Sequence, residues 1–204
     1  MRVVRIALAG AAFVLAGCLD GGLVSFLAPV TTSAPITQII MFSGDVVAVG
    51  PNGYCAALSA SRPNTGFAIF TSCPALNGSA VAIIGIVTVQ IGQHGSALVE
   101  KHAVELAAVL QGVSGPIILA RDGDTSTVMV KQVIQADARV SVYFDDDAPA
   151  AIYGTQEAEW RSFIDVNDRL VTVSVRGFDF APLSARDGAR LLDQAVAVLI
   201  AANK

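Results

Sequence analysis

Charge is scarce in this 204-residue chain: Asp, Glu, Lys and Arg together make up 15% of it, against about 25% in an average soluble domain. What charge there is leans acidic, with 13 basic against 17 acidic residues. No basic patch is present of the kind that releases counterions from a phosphate backbone, so nucleic-acid binding is excluded. Histidine occurs twice, cysteine three times and tryptophan once, which leaves few metal ligands or nucleophiles. Gly-x-Ser-x-Gly, His-Glu-x-x-His, Cys-x-x-Cys and phosphate-cradling glycine motifs are all missing, so the usual hydrolase, zincin, redox and nucleotide signatures give no support to catalysis, and no cofactor is expected. Hydrophobic residues, at 53%, exclude a disordered chain.

The first residues read as a targeting segment. Arg2 and Arg5 supply a positive start, and Ile6 to Leu15 form an apolar run too short to span a bilayer core, which needs about 20 residues. The run ends in Leu15-Ala16-Gly17-Cys18, which resembles a bacterial lipobox. That resemblance implies removal of residues 1–17, acylation of Cys18 and a firm membrane anchor, because several acyl chains hold where one does not. Losing Arg2 and Arg5 leaves 11 of the 13 basic residues against 17 acidic ones, so the anchor would be the lipid and not the surface charge. In this class an aspartate directly after the cysteine implies inner-membrane retention. Leu19 holds that place and Asp20 follows, so the outer membrane, facing the periplasm, is expected.

Residues 18–40 are expected to be a tether, on the strength of Gly21, Gly22, Pro29, Thr31-Thr32-Ser33 and Pro35, followed by one globular domain over 41–204. Short apolar runs at Asp45–Val49, Tyr54–Ala60 and Gly66–Cys73 are separated by turn residues at Pro51-Asn52-Gly53 and Arg62-Pro63-Asn64. Ala80–Ile91 reads as a buried strand. Ser96–Gln111 has helical spacing, with Leu98, His102, Leu106 and Val109 on one face, and Gly112 and Gly115-Pro116 stop it. Ile117–Ala120 and Thr127–Ile134 flank Asp122-Gly123-Asp124 and are expected to form a hairpin. Alternation then marks strands around Val140–Phe144, Trp160–Val166 and Val171–Val175, the last two joined at Asn167-Asp168. A closing helix opens at Ser184, with Asp187 at capping-box spacing. The expectation is an α+β fold: a single antiparallel β-sheet with two helices packed on it.

The segment Asp45-Val-Val-Ala-Val-Gly-Pro-Asn-Gly-Tyr54, with Arg169–Val175 and Pro182-Leu-Ser184, resembles the opening and closing pieces of the PsbP-like fold, which implies a sandwich of sheet and helices. The lipobox, Gly53-Tyr-Cys55, Gly66-Phe-Ala-Ile-Phe-Thr-Ser-Cys73 and the C-terminal block resemble small envelope lipoproteins of alphaproteobacteria, a group that brings no assigned activity and no functional residues with it.

With Cys18 lipidated, Cys55 and Cys73 remain, an even number in an oxidising compartment. Their midpoint is residue 64, inside the Arg62-Pro63-Asn64 turn, so a hairpin centred there would oppose them within disulfide reach. For metals, His102 and Glu105 lie three apart on a helix with His94 eight residues earlier. Two histidines and a carboxylate suit zinc or iron, but nothing in the sequence fixes their separation, and boundary or loop roles are the simpler reading. Asp145-Asp146-Asp147 lacks the every-second-residue spacing of a calcium loop and reads as a solvated turn. Arg161, Asp165, Arg176, Asp179 and Asp187 read as solvent-face ion pairs. Three functions follow in order: a non-enzymatic accessory lipoprotein that meets an envelope protein partner, a small-ligand binder using a cleft between sheet and helix, and a hydrolase or metal enzyme built on His94, His102 and Glu105.

Overall fold

The computed structural model describes residues 34–76 and 85–204. The targeting segment, Cys18 and most of the tether lie outside the described residues, as do residues 77–84. The folded unit begins at Ala34.

Nine strands are present among the described residues. β1 (Gln38–Met41) and β2 (Val46–Val49) form a two-stranded sheet. The tether therefore ends earlier than expected, because Ile39 and Met41 are buried while Ile40 points out. β3 (Tyr54–Ala56), β4 (Phe67–Ser72), β5 (Ile86–Ile91), β6 (Val128–Ala136), β7 (Arg139–Asp146), β8 (Thr155–Val166) and β9 (Arg169–Phe178) form a seven-stranded sheet in the order β3-β4-β5-β9-β8-β7-β6. Every neighbouring pair is antiparallel. The α+β class holds. The expected single sheet with two helices does not: there are two sheets, and helices α2 (Val99–Gln111), α3 (Gly115–Leu119) and α4 (Ala185–Ala202) follow a short α1 (Cys73–Leu76).

Local chemistry explains the register. Asn167 and Asp168 both sit at positive φ, 50° and 60°, the primed turn that matches strand twist in a two-residue hairpin, so Val166 pairs with Arg169. Gly66 has φ 74°, and a Cβ there would stand 2.5 Å from the Ile91 carbonyl oxygen; only glycine lets β4 begin against β5. At α4 the Ser184 hydroxyl accepts from the Asp187 amide (3.1 Å), the expected cap. The helix closes on Asn203, whose side-chain amide accepts from Val47 N and donates to Val47 O, each at 2.8 Å.

Two cores share the large sheet. On one face α4 and β2 cover Val87, Val89, Ile91, Trp160, Ile164, Val171, Val173 and Val175 with Leu192, Val196 and Leu199. On the other face α2 and α3 cover Val140, Val142, Phe144 and Phe163 with Val99, Leu110 and Leu119.

Three expectations fail on this second face. The buried stripe of α2 is Val99, Ala103, Ala107 and Leu110, one position round from Leu98, His102, Leu106 and Val109. Small alanines let the helix lie close to the sheet, and His102 is left exposed at a break in the helical dihedrals (φ −130°). Residues 117–120 are not a strand. Pro116, expected to stop α2, sits in the first turn of α3, where its fixed φ suits a helix start and its missing N–H costs nothing. Asp122-Gly123-Asp124 is consequently no hairpin turn. Asp124 instead accepts from Ser126 N (2.9 Å) and starts a 3-10 turn.

Candidate functional site

α2 and α3 reach across β6, β7 and β8. Among the described residues no helix covers the same face of β4, β5 and β9. Strand alternation presents Phe67, Ile69, Ile86, Thr88, Ser174, Arg176 and Phe178 there, and they floor a cleft of about 670 Å³. One wall is the chain after β3, with Ala57, Ala60 and Arg62. The other is built by Arg121 after α3, Ala151 and Ile152 before β8, and Thr155 and Glu159 on β8.

Glu159 is the polar centre of this cleft. A register shift in β8 between Thr155 and Glu159 sets Glu159 directly opposite Arg176 on β9 and Phe144 on β7. Its side chain is 1% exposed. One carboxylate oxygen accepts from Arg161 Nε at 2.9 Å. The other accepts from Arg176 Nε at 2.6 Å and also from Arg176 Nη2. Burial alone would raise its pKa, but the charges of Arg161 and Arg176 and hydrogen bonds from Ser174 and Arg161 outweigh it, and the carboxyl is held below its ordinary value. Arg161 lies 5.0 Å over the Phe144 ring and its Nε also donates to Ser174 Oγ (3.3 Å).

Arg121 stands on a second carboxylate. Asp146, fully buried, accepts from Arg121 N (3.1 Å), Thr127 Oγ1 (2.9 Å) and Ala148 N (3.0 Å). Arg121 Nη1 and Nη2 donate to the carbonyls of Ala148 (2.8 Å) and Asp146 (3.1 Å). Burial, and after it the like charge of Arg176, push the Arg121 pKa down. The solvated-turn reading of Asp145-Asp146-Asp147 is thus corrected. Asp145 pairs with Lys131, while Asp146 is the internal acceptor that fixes both loops at the cleft wall. Nor are the arginines a solvent-face set: Arg161 and Arg176 are 16% and 12% exposed, and Asp165 caps α2, accepting from Leu98 N (3.0 Å) and Glu100 N (2.8 Å).

The structure does not assemble the proposed metal ligands. His94 Nδ1 faces Asp168 Oδ2 at 3.4 Å on the surface, and His102 and Glu105 are exposed on α2. Among the described residues no three His, Cys, Asp or Glu side chains are grouped to hold a metal, and no helix is long and apolar enough to cross a membrane. Cys55 and Cys73 are joined by a disulfide with Cα atoms 4.8 Å apart. The expected directly opposed register is off by two, however. Cys55 pairs with Thr71, and Cys73 reaches back from the first position of α1.

Glu159 and Arg121 were not singled out by the sequence reading, and Asp146 was read only as part of a solvated turn. A signal for Glu159 existed. It shares strand parity with Phe163, so its side of β8 is a buried side.

These features define a class: an antiparallel α+β domain with a helix packed on each sheet face, one of which stays half open as an apolar cleft with an arginine–glutamate cluster at its wall. No protein-family model and no curated protein matches the chain. Among solved structures, an alanine mutant of the protein Mog1 overlaps 81% of this chain and 91% of its own, with a TM-score of 0.41 and 11% identity. The Saccharomyces cerevisiae Ran-binding protein Mog1p overlaps 81% and 90%, with the same TM-score and identity.

Proposed function

We propose that this chain is a ligand-binding lipoprotein of the bacterial cell envelope, anchored through Cys18 and holding a small, largely apolar molecule in the cleft over β4, β5 and β9. The observation that carries the reading is the cleft itself. At about 670 Å³ it lies within the usual 300–1,000 Å³ of small-molecule sites, with an apolar lining and few convergent polar groups. A neutral environment-sensitive fluorophore should brighten on binding with a dissociation constant in the micromolar range. Ile69→Trp, which fills the floor, should weaken that binding at least tenfold without changing the far-ultraviolet circular dichroism. Equal binding by this variant would place the probe elsewhere and count against the cleft.

The anchor is tested separately. Cys18→Ala should abolish acyl labelling and release the protein from the membrane fraction, while the wild-type protein should sediment with outer membranes. Persistent labelling of the variant would defeat the lipid assignment.

A second reading, docking to an envelope protein, is favoured by one observation. Val109, Val113, Ile117 and Ile118 are all exposed around the α2–α3 turn, Val113 at 96%, an apolar cluster of the kind that marks contact surfaces. In-cell crosslinking from position 113 should capture a discrete partner if this reading holds.

A further inference from the structure

The cleft's charge is set against that of the protein around it. Four charged side chains line it: Arg62, Arg121 and Arg176 against Glu159. Immediately behind them lie Arg161, which shares Glu159 with Arg176, and Asp146, which faces Arg121 at 3.5 Å, so four guanidinium groups meet two carboxylates. Two positive charges therefore remain unbalanced at one end of an apolar cavity, in a chain whose formal net charge is −4. Glu159 is already shared between Arg161 and Arg176, and Asp146 is saturated by Arg121 N, Thr127 Oγ1 and Ala148 N. Neither carboxylate is available to neutralise more.

Donors are in excess as well. A guanidinium carries five N–H groups. Arg176 directs only Nε and Nη2 to Glu159, and among the described residues no other protein acceptor meets it. Arg121 Nε is buried with no hydrogen-bond partner among them, at 3.5 Å from Asp146 Oδ2. Buried donors of this kind are costly when left unmet, and close like charges such as Arg121 and Arg176 are relieved by an anion. The burial and mutual repulsion that lower the Arg121 pKa report the same imbalance.

From these observations we infer that the cleft selects a single-chain anionic amphiphile, with one carboxylate- or phosphate-type head against Arg121, Arg176 and Arg62 and its apolar body along Phe67, Ile69 and Ile86. The inference rests on the ligand-binding reading above and deepens it. Guanidinium forks match both kinds of oxyanion head. The walls are apolar enough to prefer a hydrocarbon body over a sugar or a free inorganic ion.

The test is displacement of the neutral fluorophore from the intact chain by decanoate, decyl phosphate and decanol, the two anions below their micellar concentrations and the alcohol below its solubility limit. Decanoate or decyl phosphate should displace it at least tenfold better than decanol, and the two anions ranked against each other identify the head. Arg62 is an exposed rim residue whose replacement leaves the buried pairs intact. Arg62→Gln should therefore weaken the anions about threefold and leave decanol unchanged. Raising ionic strength should narrow the gap between anion and alcohol. If decanol competes as well as the anions, the charge inference is overturned while the cleft reading stands. If none of the three displaces the fluorophore, the charge inference fails; if the fluorophore itself does not bind, both fail.

Discussion

Replacing Glu159 with alanine should lower the unfolding free energy by about 3–5 kcal/mol, the cost of leaving buried partner charges uncompensated. That is a large share of the roughly 5–15 kcal/mol that holds an ordinary domain, and for a folded unit of this size it corresponds to a fall in Tm of roughly 6–20 °C. The reason is local. Arg161 and Arg176 converge on one carboxylate that is 1% exposed, and removing it leaves two guanidinium groups without a counter-ion on the sheet. A variant with Glu159, Arg161 and Arg176 all replaced by apolar residues of similar volume should regain most of the loss, because buried ion clusters are often matched by apolar packing. The same carboxylate gives stability a defined pH dependence. Its pKa in the folded state lies below the ordinary value of 4.5, so its contribution is complete above that value and is lost as pH falls through the folded pKa. Glu159→Gln should flatten that acid limb. Urea unfolding at neutral and acid pH measures all of these, and a loss under about 1 kcal/mol for the alanine variant would mean that solvent screens the cluster.

Reduction of the Cys55–Cys73 disulfide should cost about 3 kcal/mol for a closed loop of 18 residues in the chain-entropy model. The damage should be concentrated at one edge. β3 is only three residues long and pairs through Tyr54, Cys55 and Ala56, so the bridge adds a covalent restraint to a segment otherwise held by hydrogen bonds to β4, from Ala57 N to Ile69 O (2.9 Å) and between Arg62 and Phe67. Thermal unfolding with and without reductant should show the drop, and limited proteolysis of the reduced protein should cut first between residues 57 and 66. Denatured but unreduced protein should take up no thiol reagent at positions 55 and 73. Two alkylatable thiols there would remove the bridge from the account.

The strands and the closing helix were legible because their cause is local. Val171, Val173 and Val175 alternate with polar neighbours and are all buried, the Asn167-Asp168 turn forms a two-residue hairpin, and Ser184 caps α4. Elements whose cause is tertiary were not legible. Residues 117–119 are apolar and β-branched enough for a strand, yet the proline before them and a buried site for Leu119 make them a helix. The two cysteines were paired correctly for a partly wrong reason, since the bridge spans an offset of two residues and not a directly opposed pair. A cleft was expected between sheet and helix, whereas the one observed lies on the face of β4, β5 and β9 and is walled by loops and β8. Its arginine–glutamate cluster requires knowing that β7, β8 and β9 are neighbours, which no single strand's alternation reveals.

The order of strands also sets a timetable for synthesis. β5 finds its second neighbour only in β9, and α4, the last element, packs on β8, β9 and β2 and is latched to β2 by Asn203. Until Arg169 and the residues after it have emerged, the nascent first half is a nearly uncharged run, with only Asp20, Asp45 and Arg62 between residues 19 and 99, ending in an unfinished strand edge. Such a segment gathers other chains more readily than it gathers itself, and contacts spanning more than 150 residues close slowly. Association of the first half with its own copies is therefore expected to compete with folding until β9 and α4 have been made.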